Sequence, residues 1–218
     1  GPHLLHIGCR DIVDPNPDRA QVVEEVMARD GLCIINHPNW QEDFSHWPHA
    51  LIESLPPFHG IEIYNAIVRD QEGTSFATDR FDRLLSKGRR VWGYANDDTH
   101  WVESYGRAWN WVWAEKCTPE AIVESLKRGH CYGSTGVELT TLRTDGRKIR
   151  IESTNGSLCI ASLDWGLEIG RYPGKAWEFD LEELYYQGRR TPSYIRFEVH
   201  GEGDQVAWTQ PIHILGQA

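Results

Sequence analysis

Short apolar runs and segments with helical spacing alternate along the first 136 residues of the chain. Residues 20–28, for example, carry apolar side chains three and four positions apart, which is typical of an amphipathic helix. The order strand, helix, strand occurs three times, each time over about the length of one βαβ unit. The predicted strands lie at 4–7, 32–35, 60–64, 90–95, 109–114 and 130–133, and the predicted helices at 20–28, 75–87 and 119–129. Such alternation predicts a mainly parallel sheet or barrel.

From residue 137 onwards the pattern changes to short strands separated by turn dipeptides. Asp145-Gly146 and Asn155-Gly156 are strong β-hairpin signals, and 181–186 is the one segment with a helical pattern. The predicted strands lie at 140–143, 148–153, 157–163, 176–180, 194–200 and 207–214. We therefore expect an α/β portion over 1–136 and a small antiparallel β-sandwich-like extension over 137–218. No low-complexity linker separates the two, so a tight interface is expected.

Composition and charge restrict the classes of function. Of the 218 residues, 40% are hydrophobic and 25% are charged, as in ordinary globular proteins. The net charge of −10 disfavours bulk binding of nucleic acid, which needs many Lys and Arg side chains. No apolar run approaches the roughly 18 residues that span a bilayer, so no membrane partner is expected. The cysteines show no CxxC spacing and are predicted to be buried or half-buried free thiols of a cytoplasmic protein, namely Cys9, Cys33, Cys117, Cys131 and Cys159.

Polar side chains that can bind metal follow three successive predicted strands. The residues are His37 after one strand, Asn65 after the next, and the group Asp97, Asp98 and His100 after the third. In α/β barrels the loops at this end of the strands carry the active site. In an extended Asp-x-His segment the side chains of Asp98 and His100 point the same way and can enter one cavity. Imidazole and carboxylate together predict a site for zinc, iron or manganese.

Each of these residues also has an ordinary structural interpretation. A single His after a strand is more often a hydrogen-bonded loop residue than a ligand. Asp97 and Asp98 alone are typical of a turn or a helix cap. The joint placement after consecutive strands is what favours a metal site.

Three segments of the chain resemble a known family. The segments "IINHPNW" at 34–40, "GIEIYNA" at 60–66 and "WGYANDDTHW" at 92–101 are similar to the later motifs of PHP-domain (polymerase and histidinol phosphatase) metal-dependent phosphoesterases, and most similar to their carbaryl-hydrolase-like branch. The tail "SYIRFEVHGEGDQVAWTQPIHI" is similar to the β extension of such proteins. The resemblance implies part of a distorted (β/α)7 barrel, which in the family holds up to three metal ions at its strand ends.

The resemblance also implies a ligand set. His3 and His37 would share one metal, Asp98 and His100 would each bind a different one, and Glu62 would act in the structure or behind the ligands. The family begins with a His-x-His strand and a bridging acidic residue, which this chain does not contain. We therefore expect a barrel without its first third, with incomplete metal occupancy. The exposed sheet edge of such a chain predicts association with a second copy or with the missing segment.

The activity implied by the resemblance is hydrolysis of a small-molecule phosphoester by metal-activated water. Asp97 and His100 are the predicted catalytic residues, and Asn65 and Arg107 are predicted to bind substrate, with Arg107 gripping the phosphate. A turn residue is an equal interpretation of Asp97, and a salt bridge at the rim is one of Arg107. The alternative function is a non-catalytic binding or assembly module with a vestigial metal site.

Tryptophan is abundant near the predicted site. The side chains of Trp101, Trp109, Trp111 and Trp113 have the size to wall a pocket for an aromatic or sugar-like group. Trp at alternate positions of a strand is more often part of the core, and this is the interpretation that we favour from the sequence.

Overall fold

The computed structural model describes residues 2–41, 46–185 and 191–214. The strands in chain order are β1 (Leu4–Ile7), β2 (Leu32–Ile35), β3 (Gly60–Asn65), β4 (Trp92–Asn96), β5 (Trp109–Val112), β6 (Cys131–Ser134), β7 (Leu139–Asp145), β8 (Lys148–Ser153), β9 (Leu158–Leu163), β10 (Leu167–Pro173), β11 (Ala176–Asp180), β12 (Tyr194–His200), β13 (Val206–Trp208) and β14 (Ile212–His213). The helices are α1 (Arg19–Met27), α2 (His49–Ser54), α3 (Thr78–Ser86), α4 (Pro119–Lys127) and α5 (Leu181–Tyr185). Short 3-10 turns lie at Ile67–Asp70, Val102–Ser104 and Asp164–Gly166.

These strands form three sheets. In the first, ordered β1-β2-β3-β4, the strands β2, β3 and β4 are parallel, whereas β1 is antiparallel to β2. The second is antiparallel and has the order β10-β9-β12-β13-β6-β5, with β14 beside β12. The third, ordered β11-β8-β7, is also antiparallel.

The prediction that the chain forms part of a (β/α)7 barrel is wrong. The described strands form three mainly antiparallel sheets that do not close into a barrel. Of the three predicted strand-helix-strand rounds, only β3-α3-β4 is parallel, while β1 with β2 and β5 with β6 are antiparallel neighbours. Apolar periodicity locates strands and helices, but it contains no information about strand direction.

The outer edge of β4 shows why the parallel sheet stops there. The side-chain amide of Asn110 on β5 donates to Ala95 O at 2.9 Å and accepts from Ala95 N at 3.1 Å. The amide of Gln210 pairs in the same way with Gly93, donating to O at 2.7 Å and accepting from N at 2.8 Å. Because buried backbone groups must be hydrogen-bonded, these two side chains take the place of a fifth strand.

Local sequence signals explain the helix starts. The Asp18 carboxylate accepts hydrogen bonds from the backbone N–H groups of Ala20 and Gln21 before α1. Thr118 Oγ1 accepts from Ala121 N, and Pro119 occupies the first position of α4, which confirms the predicted start of this helix. The sequence prediction missed α2, which has only six residues, and β10, whose alternation is interrupted by Gly170.

Two large apolar cores and one smaller cluster, which contains Leu32, Ile34 and Tyr94, support the sheets. One lies between the first sheet and its helices, with Ile61 and Phe81 as buried members, and it extends to Trp208 on the second sheet. The other fills the space between the second and third sheets, where Ile151 and Phe197 are fully buried. Because β5 and β6 pair into the same sheet as β9 and β12, the second sheet draws strands from both sides of residue 136. The proposed domain division at that residue stays a prediction.

Two further expectations concern thiols and membranes. All five cysteines are free, as predicted, but Cys117 is exposed, so the expected burial is wrong for that residue. Over the described ranges, none of the helices combines the length and the apolar character needed to cross a bilayer.

A buried ion pair joins α3 to the second sheet. Arg196 on β12 donates from Nε to Asp82 Oδ1 and from Nη2 to Asp82 Oδ2, both at 2.7 Å. The Tyr194 hydroxyl donates to Asp82 Oδ1 at 2.8 Å. The side chains of Arg196 and Asp82 are only 5% and 6% exposed. This bidentate pair fixes the helix that follows β3 against β12.

We expect Arg196→Met to lower the free energy of unfolding by about 3–5 kcal/mol, because it leaves the Asp82 carboxylate buried without its charge partner. Urea unfolding at pH 7 measures the change. Arg171→Met is the matched control, since Arg171 pairs with Glu168 on the surface and its loss should leave the unfolding midpoint nearly unchanged. Equal midpoints for the two variants would contradict the role given to the buried pair.

Glu198 extends this pair along β12. Arg196 Nη1 lies 2.5 Å from Glu198 Oε1, and His200 Nε2 lies 3.5 Å from Glu198 Oε2. Burial alone would raise the pKa of Glu198, but the neighbouring His200 ring and the Arg196 guanidinium outweigh burial and lower it to about 2. The carboxylate is therefore stabilised as an anion in the folded state.

The lowered pKa of Glu198 predicts a pH dependence of stability. A folded-state pKa below the unfolded value of 4.5 gives a contribution that is complete above pH 4.5 and is lost as the pH falls towards 2. The loss attributable to Glu198 should be on the order of 3 kcal/mol. Urea unfolding between pH 5 and 2 should therefore show a flatter profile for Glu198→Gln than for the wild type. Parallel profiles would mean that Glu198 has no such role.

Candidate functional site

The three parallel strands end at one edge of the first sheet, and a polar residue lies at each end. Asn36 and His37 follow β2, Asn65 ends β3, and Asn96 ends β4 in register with Asn65. Ligand sites in parallel sheets lie outside the carboxyl ends of the strands. This edge is therefore the candidate site.

Glu62 on β3 is buried at the centre of this edge and binds all three strand ends. Its Oε1 accepts from Asn96 Nδ2 at 2.6 Å and from Asn36 Nδ2 at 3.3 Å. Its Oε2 accepts from the backbone N of His37 at 2.5 Å and from Asn65 Nδ2 at 2.9 Å. One carboxylate thus sets the relative positions of β2, β3 and β4 at the site.

The environment of Glu62 acts on its ionisation in two directions. Complete burial raises the pKa of Glu62 to about 7, while the hydrogen bonds from Asn65, Asn96 and the His37 backbone favour the ionised form. All four partners are N–H donors, which match the four lone-pair positions of an ionised carboxylate. These hydrogen bonds match the structural role, one of the two roles expected for Glu62.

His37 is where three of the predicted ligands meet. His3 Nδ1 lies 3.1 Å from His37 Nε2, and Asp98 Oδ2 lies 3.9 Å from the same nitrogen. Asn65 Nδ2 donates to Asp98 Oδ2 at 3.2 Å and links Asp98 to Glu62. The structure thus brings together residues that are more than 90 positions apart in the sequence.

The backbone at two of these residues is in the left-handed region. Among the described non-glycine residues, a positive φ occurs at His37 (25°), at Asp98 (56°) and at Trp165 (61°). Trp165 lies in the turn between β9 and β10. Positive φ is uncommon for residues with a side chain. His37 and Asp98, which face each other at this edge, therefore both have an uncommon backbone conformation.

A third imidazole, which the sequence did not single out, packs against the other two. The ring centroids of His37 and His46 are 5.2 Å apart, those of His3 and His46 are 6.1 Å apart, and those of His3 and His37 are 4.9 Å apart. We name these three residues the imidazole cluster. Trp40 stacks on His46 with a centroid distance of 4.4 Å. No motif or period marks His46, because it lies outside the elements that the sequence predicts.

Burial keeps the imidazole cluster neutral near pH 7. It lowers the pKa of His37 to about 4 and that of His46 to about 4, and it also lowers the pKa of His3. A neutral imidazole has a lone pair available for a metal ion.

The remaining predicted residues lie around this centre. His100 is largely exposed, and its Nδ1 is 2.7 Å from the backbone O of Asp98 and 4.0 Å from Asp98 Oδ1. Because Asp98 has a positive φ, the segment is not extended there, and the strand alternation used to align Asp98 with His100 does not apply.

Asp97 and Arg107 act together in the loop after β4. The Asp97 carboxylate accepts hydrogen bonds from the backbone N of Gly106 at 2.8 Å and of Arg107 and Ala108 at 2.7 Å. Arg107 Nη1 donates to Asp70 Oδ2 at 3.0 Å. These contacts match the structural interpretations of both residues, a turn residue and a salt bridge at the rim.

The donors of the site fit a divalent metal in type and partly in position. Nowhere in the described ranges are three or more His, Cys, Asp or Glu side chains arranged to hold an ion without rearrangement. Two nitrogens bound to one tetrahedral zinc lie about 3.3 Å apart, and those of His3 and His37 are 3.1 Å apart. His37 Nδ1 is buried without a hydrogen-bond partner. The residues that fit such an ion are His3 and His37, with Asp98 beside them.

The tryptophans lie largely outside the core, contrary to the favoured interpretation. Trp101, Trp111 and Trp113 are 49%, 43% and 68% exposed. The last two line a groove of about 730 Å³ beside Tyr132 and Leu142, and none of the predicted ligands lines it.

Comparisons with known proteins do not assign this chain to a family. No family model and no curated protein matches the chain. Among solved structures, a two-domain protein from Bacteroides vulgatus that contains a predicted PHP-like metal-dependent phosphoesterase is similar at 15% identity and a TM-score of 0.38. The match covers 91% of this chain and 67% of the other. This likeness is too distant to assign a family.

Glu62→Gln tests the central carboxylate. The amide replaces one acceptor oxygen with a donor, so two buried N–H groups lose their acceptor, and we expect a loss of about 2–4 kcal/mol in the free energy of unfolding. Urea unfolding measures it, with Glu115→Gln on the surface as the matched control. If both variants unfold at the same urea concentration, Glu62 does not hold the strand ends together.

Proposed function

We propose that this chain is a metal-dependent hydrolase of the PHP-like phosphoesterase type. His3, His37 and Asp98 would hold a divalent zinc, manganese or iron ion, with His100 on the exposed side. The observation that carries the proposal is the facing pair His37 and Asp98, both with left-handed backbone, next to the nitrogen of His3. Non-glycine residues keep such conformations where the surrounding structure imposes them, and these positions cluster at functional sites.

Hydrogen bonds with Glu62 and Asn65 position two of the proposed ligands, His37 and Asp98. Glu62 fixes the backbone of His37, and Asn65 fixes one oxygen of Asp98, so that both are positioned before any ligand arrives. Burial keeps His37 neutral, with a free lone pair. When bound, a divalent ion supplies Lewis-acid activation of water and charge stabilisation at phosphoryl oxygens.

His100 and Arg107 are assigned to the open side of the site. The His100 ring is 62% exposed and lies close to Asp98, on the side of the site that faces the solvent. Arg107 is held by Asp70, and its loop is held by Asp97, which leaves the guanidinium to pair with a substrate phosphate in place of Asp70. In this proposal Asp97 contributes by placing Arg107, and Asn65 by orienting Asp98.

The substrate class follows from charge. A net charge of −10 favours a small phosphoester over a nucleic acid. Five free thiols favour the cytoplasm as the location. Assignment to the carbaryl-hydrolase-like branch rests on the sequence motifs alone and stays a prediction.

The proposal is tested by metal content and hydrolysis together. The protein is incubated with Mn²⁺ or Zn²⁺ and desalted, its bound metal is measured by elemental analysis, and it is assayed with p-nitrophenyl phosphate and bis(p-nitrophenyl) phosphate. We expect His37→Ala and Asp98→Asn each to weaken metal binding at least about tenfold and to abolish hydrolysis. Asp145→Asn, in an exposed hairpin, is the matched control.

Two outcomes contradict the proposal in different ways. A wild-type protein that binds neither metal would support a non-catalytic module with a vestigial site. A protein that binds metal but cleaves neither ester would overturn the phosphoesterase assignment alone.

A further inference from the structure

We propose that His46 is a direct metal ligand, so that the imidazole cluster of His3, His37 and His46 binds one divalent transition-metal ion. The inference rests on the proposed function, because it concerns the same ion, and it adds a ligand that no motif in the sequence contains. The proposal is carried by the spacing of the three rings and by the burial of His37 and His46.

The spacing of the rings is that of three ligands around one ion. A tetrahedral ion bound to three imidazole nitrogens at about 2.0–2.1 Å would hold the ring centroids about 5 Å apart. The observed centroid distances are 4.9, 5.2 and 6.1 Å. The separations in all three pairs therefore allow the three rings to share one ion.

The orientation of the rings changes when the proposed ion binds. The ring planes are inclined to one another by 66° to 87°, and in the described residues the nitrogens are not arranged around one centre. The torsion that turns a histidine ring has a broad energy profile. In the proposal, rotation about this torsion directs one nitrogen of each ring towards the ion.

The surroundings of His46 suit a ligand. Its side chain is almost fully buried at 1% exposure, and Trp40 stacks over its ring. His37, at 4% exposure, has a buried Nδ1 without a hydrogen-bond partner. The Asp98 carboxylate, with Oδ2 3.9 Å from His37 Nε2, offsets the charge of a bound cation. Three imidazoles and a carboxylate form a donor set typical of zinc and its neighbours in the first transition row.

The test uses Co²⁺ as a spectroscopic probe of the full chain. Visible absorption distinguishes tetrahedral from octahedral Co²⁺, and competition with Zn²⁺ gives the affinity. We expect the wild type to show a tetrahedral spectrum, and His46→Ala to lose this spectrum and to bind Zn²⁺ at least about tenfold more weakly. His49→Ala is the matched control, because His49 is an exposed histidine three positions further along the chain.

A second variant keeps the test decisive if His46→Ala does not fold. In His46→Cys the thiolate should give a near-ultraviolet charge-transfer band with Co²⁺ that the wild type lacks, since such a band requires direct coordination. Wild-type Co²⁺ binding with no band in His46→Cys, or with unchanged affinity in a folded His46→Ala, would overturn the role of His46 and leave the proposed function standing. Absence of Co²⁺ and Zn²⁺ binding in the wild type would overturn both.

Discussion

The site depends on one buried carboxylate that holds three strand ends. Glu62 accepts hydrogen bonds from Asn36, His37, Asn65 and Asn96, and these residues end or follow β2, β3 and β4. Because the strands are parallel, their ends meet at one edge, and a central acceptor satisfies donors from all of them. Any ligand bound at this edge is positioned through this network, since the backbone of His37 and the amide behind Asp98 both belong to it.

The rest of the molecule keeps this edge in place through polar contacts rather than through barrel closure. The amides of Asn110 and Gln210 pair with the backbone of β4 and end the parallel sheet. On the other side, Asp82 on α3 is bound by Arg196 of β12. The antiparallel half of the chain therefore supports the α/β half directly. These contacts stabilise the sheet of only four strands at the outer edge of β4 and at α3.

Burial and backbone conformation give the candidate site its chemical character. The ring centroids of the imidazole cluster are 4.9 to 6.1 Å apart. Burial lowers the pKa of all three imidazoles, so they are neutral near pH 7. Left-handed backbone at His37 and Asp98 turns two polar side chains towards each other across the strand ends. Neutral nitrogen donors beside a carboxylate match the needs of a divalent transition metal. In the proposed function, the exposed His100 and the partly buried Arg107 are assigned to the solvent-facing side of this site.

By itself the sequence determined the positions of most strands and helices, the free state of the cysteines, and the polar residues that follow β2, β3 and β4, because periodicity, capping residues and turn dipeptides act locally. It did not determine strand direction, so the predicted barrel was wrong, since β1 and β5 pair antiparallel with their neighbours. Only the tertiary structure decided that His46 joins His3 and His37, that Asp97 binds a loop, and that Trp111 and Trp113 lie at the surface. These outcomes depend on contacts between distant segments, for which a single sequence has no local signal.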